Sequence, residues 1–137
     1  MTDSFVLDSY ALLGYLQNES FSDRIESALI NARTGLDYLY LHAIHLGETY
    51  YIVLRKQGPK IADIAYSRIK AFPVTLISRI DEELLLSAAK FKAGFPISYA
   101  DAFAAAMSVI YKCRLLTGDP EFKLLEEANR IHVEWLS

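Results

Sequence analysis

The chain has 137 residues, of which 53% are hydrophobic, and a net charge of -3. This size and composition predict one folded domain over residues 1–137, whose core needs neither disulfides nor a structural metal. The net charge argues against a general basic surface for nucleic acid. Cys113 is the only cysteine, which excludes an intramolecular disulfide and favours a reducing compartment. Without an apolar stretch of membrane-spanning length or the basic start of a secretory signal, a cytoplasmic protein without a membrane anchor is expected.

Short apolar runs alternate with segments of helical periodicity along the chain. Five runs have the composition of buried strands, and the segments between them repeat apolar residues at helical spacing. This alternation predicts an α/β fold with a central, mostly parallel five-stranded sheet covered by helices on both faces. The predicted strands are residues 5–7, 38–43, 74–77, 115–117 and 131–135. The predicted helices are residues 9–17, 20–33, 44–57, 59–72, 78–94, 98–112 and 121–128.

Polar side chains mark the starts of several predicted helices. Ser98 with Asp101, and Ser78 with Asp81, have the serine-x-x-acid spacing of a capped N-terminus. Ser20 is the predicted N-cap of the second helix. These helices should therefore begin immediately after Ser20, Ser78 and Ser98.

Four acids stand where a parallel sheet could bring them together. Asp8 and Asp119 follow predicted strands, and the carboxyl ends of parallel strands form the rim where ligands bind. Each also suits a helix N-cap, Asp119 especially, because Pro120 follows as the first residue of a helix. Asp101 also suits a capping box, and Glu48 an ordinary solvated helix position. Taken singly, each acid therefore has a structural interpretation that competes with a catalytic one.

Taken together, the four acids indicate a metal site. Carboxylates held close together raise one another's pKa values, and a bound cation relieves their repulsion. Oxygen ligands without histidine or cysteine partners suit Mg²⁺ or Mn²⁺, which can orient a phosphodiester and activate water for its hydrolysis. By contrast, the three histidines lack zinc-binding spacing and are predicted to be structural. They are His42, His45 and His132.

Four segments carry a family resemblance. In order, VLDSYALLGYLQNE, HLGETYYIVLRK, ISYADAFAAAMS and LLTGDPEF resemble the signature blocks of PIN-domain ribonucleases, particularly VapC toxins of toxin-antitoxin pairs. The resemblance covers essentially the whole chain and implies a PIN-like three-layer α/β/α sandwich. It implies metal-dependent endonucleolytic cleavage of RNA, with Mg²⁺ or Mn²⁺ bound by a catalytic quartet. The implied quartet is Asp8, Glu48, Asp101 and Asp119, with possible support from Ser9, Thr117 and Glu121.

The resemblance also implies two protein partners, a small inhibitory antitoxin and a second copy of the chain in a homodimer. An antitoxin groove could involve Tyr10, Leu13, Tyr50, Tyr51 and Leu54, although core packing is the alternative for most of them. The homodimer would place two active sites in a basic-rimmed channel, whereas scattered solvated charges are the alternative for its candidate residues. Those candidates are Arg55, Lys56, Lys112, Arg114 and Lys123.

Two other functions stay open. The chain could be a PIN-fold partner-binding module without catalytic activity, in which the acids are helix caps. It could also be a PIN nuclease that acts in RNA maturation or on structured DNA. Tyr99 and Phe103 flank Asp101 at helical spacing, and they are predicted to lie in the core rather than to stack on bases.

Overall fold

The computed structural model describes residues 3–136, which form five strands, seven α-helices and one short 3-10 helix. No helix in this range has both the length and the hydropathy needed to cross a bilayer. The strands are β1 (Asp3–Leu7), β2 (Asp37–His42), β3 (Thr75–Ile77), β4 (Arg114–Thr117) and β5 (Val133–Trp135). The α-helices are α1 (Ser9–Leu16), α2 (Ser22–Arg33), α3 (Ala43–Gln57), α4 (Pro59–Lys70), α5 (Glu82–Gly94), α6 (Tyr99–Ile110) and α7 (Lys123–Glu127), and the 3-10 helix is Pro120–Phe122.

The sheet has the order β3-β2-β1-β4-β5, and all four pairings are parallel. This confirms the predicted parallel sheet and puts β1 at its centre. Leu7, the last residue of β1, pairs with Leu116 of β4. Asp8 and Thr117 therefore emerge side by side at the carboxyl edge of the sheet.

Alternate residues of the central strand pack against opposite helical layers, as the two-residue repeat of a strand requires. Val6 belongs to a buried cluster with Met107 of α6, whereas Phe5 and Leu7 belong to a cluster with Leu12 of α1. All five side chains are at most 1% exposed. Both faces of the sheet are thus covered, and the predicted three-layer α/β/α arrangement is confirmed.

Two predicted helix starts are wrong. The second helix begins at Ser22 rather than after Ser20, and its N-cap residue, Phe21, makes no side-chain capping bond. In α5 the acid of the serine-x-x-acid pattern is itself the N-cap, because Asp81 accepts a hydrogen bond from the backbone N–H of Leu84 at 2.9 Å. Ser78 therefore lies outside the helix that it was predicted to cap.

The start predicted for α6 is confirmed. Ser98 is its N-cap, and the Ser98 Oγ accepts a hydrogen bond from the backbone N–H of Asp101 at 3.1 Å. The helix ends at Ile110 rather than near Lys112, because Lys112 adopts a left-handed backbone conformation with φ of 54°. The cap fixes Asp101 in the first turn, where the helix dipole favours an anion.

Candidate metal centre

Asp8 is the deepest acid at the carboxyl edge of the sheet, with only 2% of its surface exposed. It is the N-cap of α1, and its Oδ1 accepts a hydrogen bond from the backbone N–H of Ala11 at 3.0 Å. Its Oδ2 accepts a hydrogen bond from the Thr117 hydroxyl at 2.6 Å. The structural and catalytic interpretations of Asp8 are therefore compatible, because the capping bond orients the carboxyl group at the rim.

The turn after β4 places two further acids. The Thr117 hydroxyl accepts a hydrogen bond from the backbone N–H of Asp119 at 3.1 Å, and Asp119 Oδ1 accepts one from the backbone N–H of Glu121 at 3.0 Å. Gly118 lies between Thr117 and Asp119, where a Cβ atom would stand 2.6 Å from a ring carbon of Tyr10. The same Cβ atom would stand 2.9 Å from the backbone oxygen of Leu136, which cannot turn aside as a side chain can, so the turn that carries Asp119 favours glycine.

Three carboxylates form the tightest acidic group in residues 3–136. One carboxylate oxygen from each of Asp101, Asp119 and Glu121 lies within 4.8 Å of the other two. Asp101 is 8% exposed, whereas Glu121 is at the surface. Glu121, predicted only as a possible supporting residue, therefore lies in this group, and Asp8 and Glu48 lie outside it.

Glu48 reaches the same region from α3. Its Oε1 accepts a hydrogen bond from the Ser9 hydroxyl at 2.5 Å, and Ser9 directly follows Asp8. Its negative charge contributes to the raised pKa of Asp8, so the two carboxyl groups are close enough to interact. Glu48 thus faces the rim, an orientation that helical spacing in the sequence left open.

The protonation of the two most buried acids reflects their surroundings. Burial is the main cause that raises the pKa of Asp8 to about 7. The hydrogen bonds from Thr117 and Ala11 lower this pKa, and the negative charges of Asp119 and Glu48 raise it. Burial is also the main cause that raises the pKa of Asp101 to about 8. A hydrogen bond with Glu121 and the neighbouring negative charges raise it further. Both carboxyl groups therefore tend to hold protons near neutral pH.

This donor set fits a hard divalent cation. Every candidate donor is a carboxylate oxygen, the ligand type of Mg²⁺ and Mn²⁺, and the group contains neither a histidine nor a cysteine. A positive charge at this place would favour the ionised form of carboxyl groups whose pKa values are otherwise raised. The residues present are thus chemically suited to such an ion.

Two residues predicted for the basic rim lie at the opposite edge of the sheet. Lys112 and Arg114 line a cavity of about 570 Å³ beside the amino ends of β1 and β4. Arg114 also forms ion pairs with Glu134 at 3.1 Å and with Asp3 at 3.7 Å. Their assignment to the rim is therefore wrong, because residues that precede a parallel strand emerge at its amino end.

Other sequence assignments near the acids have mixed outcomes. Phe103 is buried as predicted, but Tyr99 is 46% exposed and stacks on Phe103 with ring centroids 5.1 Å apart. His42 has a local role that the sequence did not reveal, since its Nδ1 accepts a hydrogen bond from the backbone N–H of Ile44 and caps α3. Histidine is not among the usual N-cap residues, so this position carries no recognisable capping signal.

Comparisons with known proteins agree with this architecture. A family model of the PIN domain matches residues 5–128, while curated proteins give no match. VapBC2 from Rickettsia felis, solved with a DNA fragment from its promoter, is 13% identical with a TM-score of 0.74, covering 98% of this chain and 99% of that chain. VapBC-1 from nontypeable Haemophilus influenzae is 18% identical with a TM-score of 0.70, and the match covers 97% of this chain and 98% of that chain. VapC20 from Mycobacterium tuberculosis, described as a sarcin-ricin loop cleaving toxin, is 15% identical with a TM-score of 0.69. The match covers 88% of this chain and 93% of that chain.

Proposed function

This chain belongs to the PIN-domain family, and from that premise we propose that it is a metal-dependent endoribonuclease of the VapC type, inhibited by a cognate antitoxin. The observation that carries the proposal is the group of carboxylates from Asp101, Asp119 and Glu121, beside the buried Asp8. RNA is the proposed substrate because one structurally similar toxin is described as cleaving the sarcin-ricin loop.

Asp101, Asp119 and Glu121 would hold Mg²⁺ or Mn²⁺, with Asp8 and Glu48 completing the negative surroundings. When bound, the ion would neutralise charge on the scissile phosphate and lower the pKa of an attacking water. The proposed centre therefore contains the four predicted acids and adds Glu121 as a ligand.

Hydrogen bonds within the chain orient the proposed catalytic groups. Thr117 and the first turn of α1 fix both oxygens of Asp8, so that this carboxylate is aimed before substrate arrives. Ser9 holds Oε1 of Glu48, and no other side-chain hydrogen bond to Glu48 occurs among residues 3–136. Oε2 of Glu48 is thus the oxygen that we assign to accept a proton from the attacking water.

The direct test is cleavage of a panel of single-stranded and looped RNAs by purified protein with Mg²⁺ or Mn²⁺, beside reactions with EDTA. Internal cleavage that requires the ion is the expected result. Failure on every substrate, together with melting midpoints that neither ion raises, would instead favour the partner-binding module. Cleavage confined to structured DNA or precursor RNAs would favour the other nuclease hypothesis.

An apolar groove between α1, α3 and α4 is the proposed antitoxin site. It encloses about 140 Å³, and at its rim Ile61 is 42% exposed and Ile64 is 56% exposed. Such a groove suits the apolar side chains of an amphipathic segment. Of the residues predicted for this surface, Leu13 lines the groove, and three others are exposed without lining it. Those three are Tyr10, Tyr51 and Leu54.

Replacing Ile64 with Asp is expected to weaken antitoxin binding at least about tenfold, because a charge would be desolvated in the apolar contact. RNA cleavage by the free protein should stay within about twofold, since the groove is built from residues outside the acidic group. Titration calorimetry of each variant with the cognate antitoxin would measure the affinity.

The matched control is Ile30→Asp, which places the same charge on α2 at a side chain of similar exposure, 53%. Equal weakening by both substitutions would contradict the assignment of the groove, because α2 does not line it.

The homodimer and its basic rim stay part of the proposal. Three of the predicted rim residues, Arg55, Lys56 and Lys123, are exposed on α3 and α7. Leu85 and Leu86 of α5 are also exposed and offer apolar surface to a second copy.

A further inference from the structure

His45 is wholly buried in the first turn of α3, yet its only side-chain hydrogen bond within residues 3–136 leads to the helix that carries Asp101. Its Nε2 lies 2.8 Å from the carbonyl oxygen of Ala100, the residue before Asp101. Because a carbonyl oxygen can only accept, Nε2 carries the proton and Nδ1 is left as an acceptor. Nδ1 is buried and has no partner among the described residues. The imidazole therefore makes one directed contact, to the backbone beside a proposed metal ligand.

His45 also lies on the helix that carries Glu48. Glu48 follows His45 by three positions on α3, which places both on one side of the helix. The Thr49 hydroxyl donates a hydrogen bond to the backbone carbonyl of His45 at 2.8 Å. The hydrogen bond from His45 to Ala100 thus links the first turn of α3, one turn before Glu48, to the first turn of α6, which carries Asp101.

Packing alone does not explain a histidine at this position. Burial lowers the pKa of His45 to about 4, so the ring is neutral at physiological pH and contributes no charge. An apolar side chain of similar volume would fill the space without leaving a buried nitrogen unpaired. What histidine adds is the hydrogen bond to Ala100.

We infer that His45 is a positioning residue, which fixes the start of the Asp101 helix against the Glu48 helix and so sets the spacing of the metal-binding acids. The inference rests on the proposed function, since both acids belong to the proposed centre. Residues that orient metal ligands from outside the coordination sphere typically affect metal affinity about 10- to 100-fold.

His42 is a natural control for this inference. It lies immediately before the same helix, is also buried, and its Nε2 is 3.0 Å from the backbone oxygen of Arg79. Arg79 precedes α5 and is not adjacent to any of the proposed ligands. His42→Asn can keep the α3 capping bond while losing the contact with Arg79.

The test compares three variants by calorimetric titration with Mn²⁺ alone and by amide hydrogen exchange of the metal-free proteins. His45→Leu should weaken Mn²⁺ binding about tenfold or more and speed exchange at the backbone N–H of Asp101. His45→Gln, whose amide nitrogen can reach the carbonyl of Ala100, should recover most of both losses. His42→Asn should leave Mn²⁺ affinity within about twofold of the parent, even where its melting midpoint falls.

Parent-like Mn²⁺ affinity in His45→Leu, or equal weakening in His42→Asn, would overturn the positioning role. If His45→Leu does not fold, His45→Asn replaces it, because asparagine is polar but too short to reach Ala100. A parent protein that binds no Mn²⁺ would refute the proposed function instead. In that case the positioning role of His45 is decided by hydrogen exchange at the backbone N–H of Asp101 alone. An exchange rate in His45→Leu equal to that of the parent would overturn the inference.

Discussion

Replacing Asp101 with Asn should reduce metal-dependent RNA cleavage about 100-fold or more, because a direct ligand should matter at least as much as the outer residues that support ligands. Asn has nearly the size of Asp, and the Ser98 cap that starts α6 bonds to the backbone rather than to the Asp101 side chain. The fold should therefore persist. The measurement is the initial cleavage rate with saturating Mg²⁺ or Mn²⁺, together with the circular dichroism spectrum.

The stability of the same variant separates a ligand from a structural acid. The pKa of Asp101 is raised to about 8, so ionising this carboxyl group costs stability in the metal-free protein. Asp101→Asn should then melt at or above the parent midpoint near pH 8 without metal, while losing the stabilisation that Mn²⁺ gives the parent. Such a pattern is characteristic of a ligand, since a purely structural acid would lower the midpoint when removed.

Asp81→Asn is the matched control, because Asp81 is also an aspartate at a helix start but lies at the N-terminus of α5. Asparagine is as good an N-cap as aspartate, so both cleavage and the midpoint should change little. Parent-like cleavage by Asp101→Asn, or an equal loss in Asp81→Asn, would show that Asp101 is not a ligand.

Those elements of the site that depend on local chemistry could be predicted from the sequence. Asp8 and Thr117 end up side by side because each stands at the end of an apolar run, and two such runs became parallel neighbours. The position of Asp101 in the first turn of α6 follows from the Ser98 cap, whose spacing specifies a helix start, whereas its role in the quartet is implied by the family resemblance. In these cases a residue's position follows from the few residues around it.

Other features depend on contacts between distant segments, which local patterns do not encode. The bond from His45 to Ala100 joins residues 55 positions apart, and a lone buried histidine carries no spacing signal. The location of Lys112 and Arg114 has a different cause. Lys112 lies two residues before β4 and Arg114 begins it, so strand direction alone excludes both from the carboxyl edge.

Without a divalent cation, raising the pH from about 4 to about 8 is expected to destabilise the protein through Asp8 and Asp101. Their folded-state pKa values, about 7 and about 8, lie above the ordinary value of 3.8. In this range the folded state holds protons that the unfolded state has lost, so their stabilising contribution disappears as the pH rises through the folded-state values. For the fully buried Asp8, the change from 3.8 to about 7 corresponds to on the order of 4 kcal/mol.

Magnesium should oppose this loss of stability at high pH. The ion binds ionised carboxylates, and at high pH it no longer competes with protons for them. At a free concentration about 100 times the dissociation constant, binding adds about 2.7 kcal/mol of stability. The check is a set of thermal melts at about pH 5 and about pH 8, with Mg²⁺ and with EDTA. Mg²⁺ should raise the midpoint clearly at the higher pH and only slightly at the lower one.

Asp8→Asn removes the group with the clearest burial and should flatten the pH dependence of the metal-free midpoint, whereas Asp81→Asn should keep the parent slope. Asparagine does not titrate, so any constant destabilisation by the substitution lowers the midpoint equally at every pH and leaves the slope to report on the remaining titratable groups. If the melting midpoints of the parent and of Asp8→Asn fall by the same amount between about pH 4 and about pH 8, Asp8 is not held protonated by burial. The pH dependence of the metal-free midpoint would then have to come from Asp101, whose pKa is also raised.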